Sequence, residues 1–209
     1  MRVAVVGGPG IGKSTLVRQL GDLYHNGSYG EGEKGVWHPA VLEDIEAGLN
    51  PVGVTAYFAA LYDANYRDAA AHDAPGRVIF LEGAKITLEA HMAEYPVACH
   101  EELRTVAATG ERWNPDRLIV LTSNTDTIEK HIRLRNRSNE TVGRMVERFR
   151  LIDVEFRRLA PSYPNAVLID RDGLEFHDRR GLERVVELAG LPRFTEISYR
   201  QMDRFVGSP

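Results

Sequence analysis

Residues 7–15 read GGPGIGKST and carry the clearest chemical signal in the chain. They match the pattern G-x-x-x-x-G-K-[S/T], in which a glycine-rich loop between a strand and a helix wraps around phosphate groups. Glycines let backbone amides turn inward toward phosphate oxygens, and the following helix presents its positive amino end to them. The pattern therefore predicts a nucleotide phosphate site, with contacts from Gly8, Gly10, Ile11, Gly12, Lys13, Ser14 and Thr15.

Three side chains predict how the charge of that nucleotide is handled. Lys13 is expected to place its ammonium on the outer phosphates, and the Ser14 hydroxyl is expected to ligate Mg²⁺. Glu82 ends the apolar run at residues 77–81, which places its carboxylate at the carboxyl end of a buried strand. We expect Glu82 to organise the metal, so ATP and Mg²⁺ are the predicted cofactors.

A phosphoryl transfer also needs a group that activates the acceptor and a group that stabilises the transferring charge. Glu31 or Glu33, in the stretch after the first helix, is the candidate base, and the sequence leaves the choice open. Arg133, Arg135 and Arg137 alternate just before a break and a long helix. We expect a lid at about residues 133–142, with at least one arginine on the phosphates.

A guanine-nucleotide switch is disfavoured by the placement of its motifs. The run DAPG at residues 73–76 precedes the strand at residues 77–81, so its aspartate cannot stand at a carboxyl strand end. The run SNTD at residues 123–126 lacks the lysine of a guanine-reading motif. A kinase fits the pattern better.

Alternating apolar runs and amphipathic segments must position these residues. Residues 2–6, 77–81, 117–121 and 166–169 are predicted buried strands, with a doubtful fifth strand within residues 26–34. Helices are predicted at residues 13–23, 39–47, 54–71 and 142–159, with two more within residues 86–108 that meet near Pro96. This order predicts a three-layer α/β/α fold with a parallel sheet of about five strands, as one domain over residues 1–209.

Composition sets wider bounds on function. The chain has 209 residues, 27% of them charged, and no apolar run near membrane-spanning length. A single cysteine, Cys99, excludes an internal disulfide, so a cytoplasmic location without membrane contact is expected. The net charge of −4 argues mildly against bulk nucleic-acid binding. Arginines are nevertheless dense over residues 133–158, where guanidinium groups suit phosphate contacts.

The phosphate loop, the segment TIEKHIRLRNRSNE at residues 127–140 and the order of elements together resemble the deoxynucleoside kinase family, within the wider nucleoside and nucleotide kinase group. The resemblance covers about residues 2–172. It implies that Glu82 takes the place of the acid in the family's Asp/Glu-Arg-Ser motif and that Glu31 or Glu33 is the base. It also implies an acceptor pocket near Trp37, Tyr57 and Tyr62.

The sequence departs from the family at two points. Gly83 and Ala84 stand where the family has the arginine and serine, and Lys85 is the candidate replacement for that arginine. The family's base-reading glutamine has no clear equivalent, with Thr55 and Asn65 as the nearest polar choices.

The leading hypothesis is an ATP-dependent kinase acting on a hydroxyl of a nucleoside-like acceptor. One alternative keeps the chemistry but uses a nucleoside monophosphate, a modified base, or a hydroxymethylated base in DNA, with the arginine-rich region on the acceptor's phosphates. Another is an ATP-sensing regulatory module. A homodimer is left open.

Overall fold

The computed structural model describes residues 1–31, 38–135 and 141–193. Its strands form one parallel sheet in the order β2-β3-β1-β4-β5. The strands are β1 Arg2–Gly7, β2 Ser28–Tyr29, β3 Ile79–Glu82, β4 Arg117–Thr122 and β5 Ala166–Asp170. The helices are α1 Lys13–Leu23, α2 Pro39–Ala47, α3 Pro51–Ala71, α4 Lys85–His91, α5 His100–Ala108, α6 Thr125–Arg135, α7 Val142–Leu159 and α8 Arg179–Leu188.

Both faces of the three central strands are covered, because the middle residues of β1, β3 and β4 are apolar and buried. Alternate residues of a strand point to opposite faces, so Val3 and Val5 pack in one core with Leu16 of α1. Ala4 and Val6 pack in the other core, which includes Phe156 of α7. The structure confirms the predicted three-layer α/β/α fold and its parallel sheet.

The differences from the predicted elements are local. The doubtful strand exists, but only as the two residues of β2. Between β3 and β4, the predicted pair of helices is interrupted by two 3-10 turns, at Met92–Glu94 and Val97–Cys99. Pro96, which lies between those turns, cannot donate a backbone hydrogen bond to a continuing helix. The Met92–Glu94 turn brings the Glu94 carboxylate to a cleft at the carboxyl edge of the sheet.

A helix must be both long and apolar to cross a bilayer. Within the three described segments, no helix has both the length and the apolar character to do so.

Candidate active site

A cleft of about 1220 Å³ lies where the strands end, over the carboxyl edge of the sheet. The phosphate loop, α6 and the connection from β5 to α8 line one side, which we term the loop side. Helices α2, α3 and α4 with the Met92–Glu94 turn line the opposite side, which we term the pocket side. Helix α7 contributes residues between them. In parallel α/β sheets this edge is where ligands bind.

The phosphate loop has the backbone that its glycines predict. Gly10 and Gly12 adopt φ angles of +81° and +96°, which L side chains rarely adopt. A Cβ atom on Gly8 would also lie 2.5 Å from the ring of Phe149. Helix α1 begins directly after the loop, and no side chain of the described residues caps it. Its first amides therefore suit an anion.

Lys13, Ser14 and Thr15 all line the cleft from the start of α1. The Lys13 ammonium donates to the carbonyl of Gly8 at 3.3 Å, so it folds back over the loop. Ile11 contributes its backbone alone, since its side chain is fully buried in the core.

The Ser14 hydroxyl donates to Glu82 Oε1 at 3.0 Å. Glu82, at the end of β3, is 2% exposed, and its other oxygen accepts from the backbone amide of Glu31 at 3.2 Å. Burial and the nearby Glu31 carboxylate raise the pKa of Glu82 to about 7, although Lys13 and Ser14 act in the opposite direction. Two of the predicted acids and the predicted magnesium ligand therefore meet at one point.

These groups fit a magnesium ion. Mg²⁺ prefers oxygen ligands and usually takes only one or two from protein, with phosphate and water completing its shell. The Ser14 hydroxyl and the Glu82 carboxylate are oxygen donors side by side at the phosphate loop. A cation there would also compensate a carboxylate that is buried beside a second one.

Tyr62 of α3 holds the Glu31 carboxylate, because its hydroxyl donates to Glu31 Oε1. Its ring is buried, and burial, followed by the charge of Glu31, raises its pKa well above the ordinary value. The same ring explains Gly83: a Cβ on Gly83 would lie 2.2 Å from Tyr62. The arginine that the family places after the acid therefore has no room here.

Sequence reasoning missed Arg171, which follows β5. Its guanidinium donates to the carbonyl of Ile11 at 2.7 Å and lies 4.5 Å from the centre of the Phe176 ring. The side chain thus joins the phosphate loop to the β5–α8 connection. Its place directly after a strand on the ligand-binding edge was the available signal.

A second missed group lies on the pocket side. Glu94, in the Met92–Glu94 turn, accepts from Arg148 of α7 through both oxygens, with Nη2 at 2.9 Å, and from His91 Nδ1 at 2.5 Å. All three residues line the cleft. Although burial opposes the shift, His91 and Arg148 lower the pKa of Glu94 to about 2. We term these residues the Arg148–Glu94–His91 cluster.

Several other residues expected at the site lie away from the cleft or outside the described residues. Arg133 pairs with Glu129 on the exposed face of α6, at 2.6 Å. Arg135 is the last residue of α6. Tyr57 does not line the cleft, whereas its neighbour Phe58 does. Glu33, Trp37 and Arg137 lie outside the described residues.

The arginine-rich region is less available for phosphate than its density suggests. Arg157 pairs with Asp153, and Arg158 pairs with Glu155. Lys85, the candidate replacement for the missing arginine, pairs with Glu89 and Glu111 and does not line the cleft.

Several solved structures share this fold. Deoxyadenosine kinase from M. mycoides, solved with the products dCMP and a flexible dCDP, superposes with a TM-score of 0.67 at 15% identity, over 90% of this chain and 97% of its own. Thymidylate kinase from Candida albicans gives 0.64 at 13% identity, over 89% and 90%. The NadR protein in complex with NR gives 0.54 at 19% identity, over 91% of this chain and 52% of its own.

No protein-family model and no curated protein sequence matches the chain. At identities this low, the structural likeness establishes the fold, which is the α/β/α architecture found in these P-loop kinases. What the chain does is argued from the residues of the cleft.

Proposed function

We propose that this chain is an ATP-dependent kinase that transfers the γ-phosphoryl group to a hydroxyl of a nucleoside-like acceptor. The observation that carries the proposal is the convergence of Ser14, Glu82 and Glu31 beside the phosphate loop. A nucleotide sensor needs the loop and the magnesium ligands, but it has no use for a second carboxylate held beside them by a tyrosine. A kinase does, because a carboxylate there can accept the acceptor's proton.

The chain's own residues divide the work as follows. The loop amides and Lys13 would hold the donor phosphates, and Ser14 and Glu82 would hold the metal. Bound Mg²⁺ would supply charge neutralisation at the β- and γ-phosphates of ATP. Glu31, held by Tyr62, orients the acceptor hydroxyl and accepts its proton. Phe58 and Tyr62 give the pocket side an aromatic wall suited to a planar base.

The fold supports the same conclusion without deciding it. Two proteins that share it are named as kinases of a nucleoside and of a nucleotide, and a third was solved with NR bound. Lys13, Ser14, Glu82 and Glu31 all line the cleft, and this supports the proposal.

The test is a transfer assay with γ-labelled ATP, Mg²⁺ and a panel of nucleosides, nucleoside monophosphates and oligonucleotides. Lys13→Ala should lower the transfer rate by about 100-fold or more while the unfolding midpoint stays unchanged, since Lys13 contributes charge and not core packing. Lys85→Ala is the matched control, because that lysine lies outside the cleft. A folded Lys13→Ala protein with the wild-type rate would refute the proposal, as would slow ATP hydrolysis with no labelled acceptor.

A further inference from the structure

Neither residue expected to read the acceptor's base is placed to donate a hydrogen bond to it. Thr55 lines the cleft, but its hydroxyl donates back to the carbonyl of Pro51 at 2.8 Å. Asn65 is fully buried and is not part of the cleft lining. A base that enters between α3 and α4 therefore needs a different polar partner, and the same region of the cleft holds an unassigned charged group.

That group is the Arg148–Glu94–His91 cluster. Arg148 uses Nε and Nη2 on Glu94, so its Nη1 amino group makes no hydrogen bond within the described part of the chain. His91 meets Glu94 through Nδ1, which leaves Nε2 as its second ring nitrogen. Arg148 and His91 thus each keep a nitrogen that can bond a ligand, while Glu94 fixes the orientation of both side chains.

The charge around the cluster argues against a phosphate there. Glu94 already neutralises Arg148, the Glu31 carboxylate is close enough to help raise the pKa of Arg148, and Glu82 and Glu147 also line the cleft. A dianion placed beside Arg148 would face several carboxylates at once. Arg144, which also lines the cleft, lies one helical turn nearer the predicted lid and already has a partner. An uncharged heterocycle with polar edge atoms fits these surroundings better.

Resting on the proposed function, we infer that the Arg148–Glu94–His91 cluster recognises the uncharged polar edge of the acceptor's base. We further infer that the preferred acceptor is a nucleoside without a phosphate. Arg148 would donate to a base oxygen or ring nitrogen, Glu94 would hold the guanidinium in place, and His91 would contact the neighbouring edge atom. The cluster would then do the work of the base-reading glutamine that this sequence lacks.

Calorimetric binding of the four common deoxynucleosides and their 5′-monophosphates tests this without requiring turnover. The wild-type protein should bind at least one nucleoside more tightly than its monophosphate. Arg148→Met should raise the dissociation constant of that nucleoside by about 10-fold or more, because a charge-assisted hydrogen bond is lost. Arg158→Met is the matched control, since it removes an exposed arginine from the same helix and should leave affinity unchanged.

Glu94→Gln separates recognition from support of the fold. It removes the charge that holds the Arg148 guanidinium in place, so affinity should fall for the preferred nucleoside and change little for the other three, a loss of base selectivity that general loosening would not produce. The inference fails if no nucleoside binds, if Arg148→Met binds nucleosides normally, or if the wild type prefers the monophosphate. Labelled-phosphate transfer that persists despite such a result would leave the proposed kinase activity standing and remove only the assignment of this cluster.

Discussion

Two carboxylates that share one corner of the cleft have different surroundings, and the difference supports the separate roles that we propose for them. Glu82 is buried and bonded to Ser14, so it is placed to hold a cation. Glu31 is only half-buried and is held by Tyr62, so its carboxylate can meet an acceptor that enters from the cleft. Pairs of acids in different environments are how enzymes divide electrostatic and proton-transfer work.

Substitution of each acid should therefore give a different kinetic defect. Glu82→Gln should raise the Mg²⁺ concentration needed for half-maximal transfer, because an amide is a poor ligand for a hard cation. Glu31→Gln should lower the single-turnover rate by about 100-fold with the Mg²⁺ requirement nearly unchanged, which is the usual size of a lost general base. Measuring single turnovers across a Mg²⁺ titration distinguishes the two.

Glu183→Gln, which alters an exposed pair on α8, is the control for both variants. A full rate in Glu31→Gln would contradict the assignment. The general base would then be Glu33, or the transfer would need no base and depend on the positioning of the reactants alone.

Strands and helices with strong local signals were predictable, whereas the contacts between them were not. The glycine pattern and apolar runs gave the phosphate loop, four strands and the acid at the end of β3, because local sequence determines those features. The pairing of Arg148 with Glu94 joins α7 to a 3-10 turn 54 residues away. No periodicity within either segment encodes that contact. For the same reason, sequence placed Arg148 among phosphate-binding arginines.

The lid remains a prediction at the junction of α6 and α7. At least one of Arg133, Arg135 and Arg137 should stabilise the transferring phosphoryl group, so its alanine variant should lower the single-turnover rate by about 1000-fold. ATP affinity should change far less, because that contact strengthens only in the transition state. Arg133 has an exposed partner on its own helix, Glu129, and would have to leave it on closure.

Arg184→Ala on α8 supplies a control for loss of an exposed, paired arginine. Wild-type single-turnover rates in all three alanine variants would show that the lid arginines do not stabilise the transferring phosphoryl group. That result would also weaken the case for a kinase over a nucleotide sensor.

At the scale of the whole molecule, two arginines join elements that line the cleft. Arg171 joins the β5–α8 connection to the phosphate loop, and Arg148 joins α7 to the turn after α4. The second link is an ion pair whose carboxylate is 10% exposed, so desolvation makes it sensitive to the loss of either charge. Stability of the fold and recognition in the cleft therefore depend on the same carboxylate.

That dependence predicts how stability varies with pH. The folded protein holds the pKa of Glu94 at about 2, below the value of about 4.3 for an unfolded glutamate. A lowered pKa contributes stability that is present above pH ~4.3 and is lost as pH falls toward ~2. Glu94→Gln should thus reduce the free energy of unfolding by about 2–3 kcal/mol at pH 7. The deficit should shrink below pH ~4, because protonation then removes the wild-type charge as well.

Urea unfolding of both proteins at pH 7, 5, 4 and 3 measures the effect, since the linear dependence on urea gives the free energy at each pH. Glu187→Gln is the matched control, because its partner Arg184 lies on an exposed helix face and such pairs contribute about 0–1 kcal/mol. A deficit that stays constant from pH 7 to pH 3 would show that Glu94 acts through packing alone. The ion pair would then not be what stabilises the packing of α7 against the turn after α4, because only a charged carboxylate makes the contribution depend on pH.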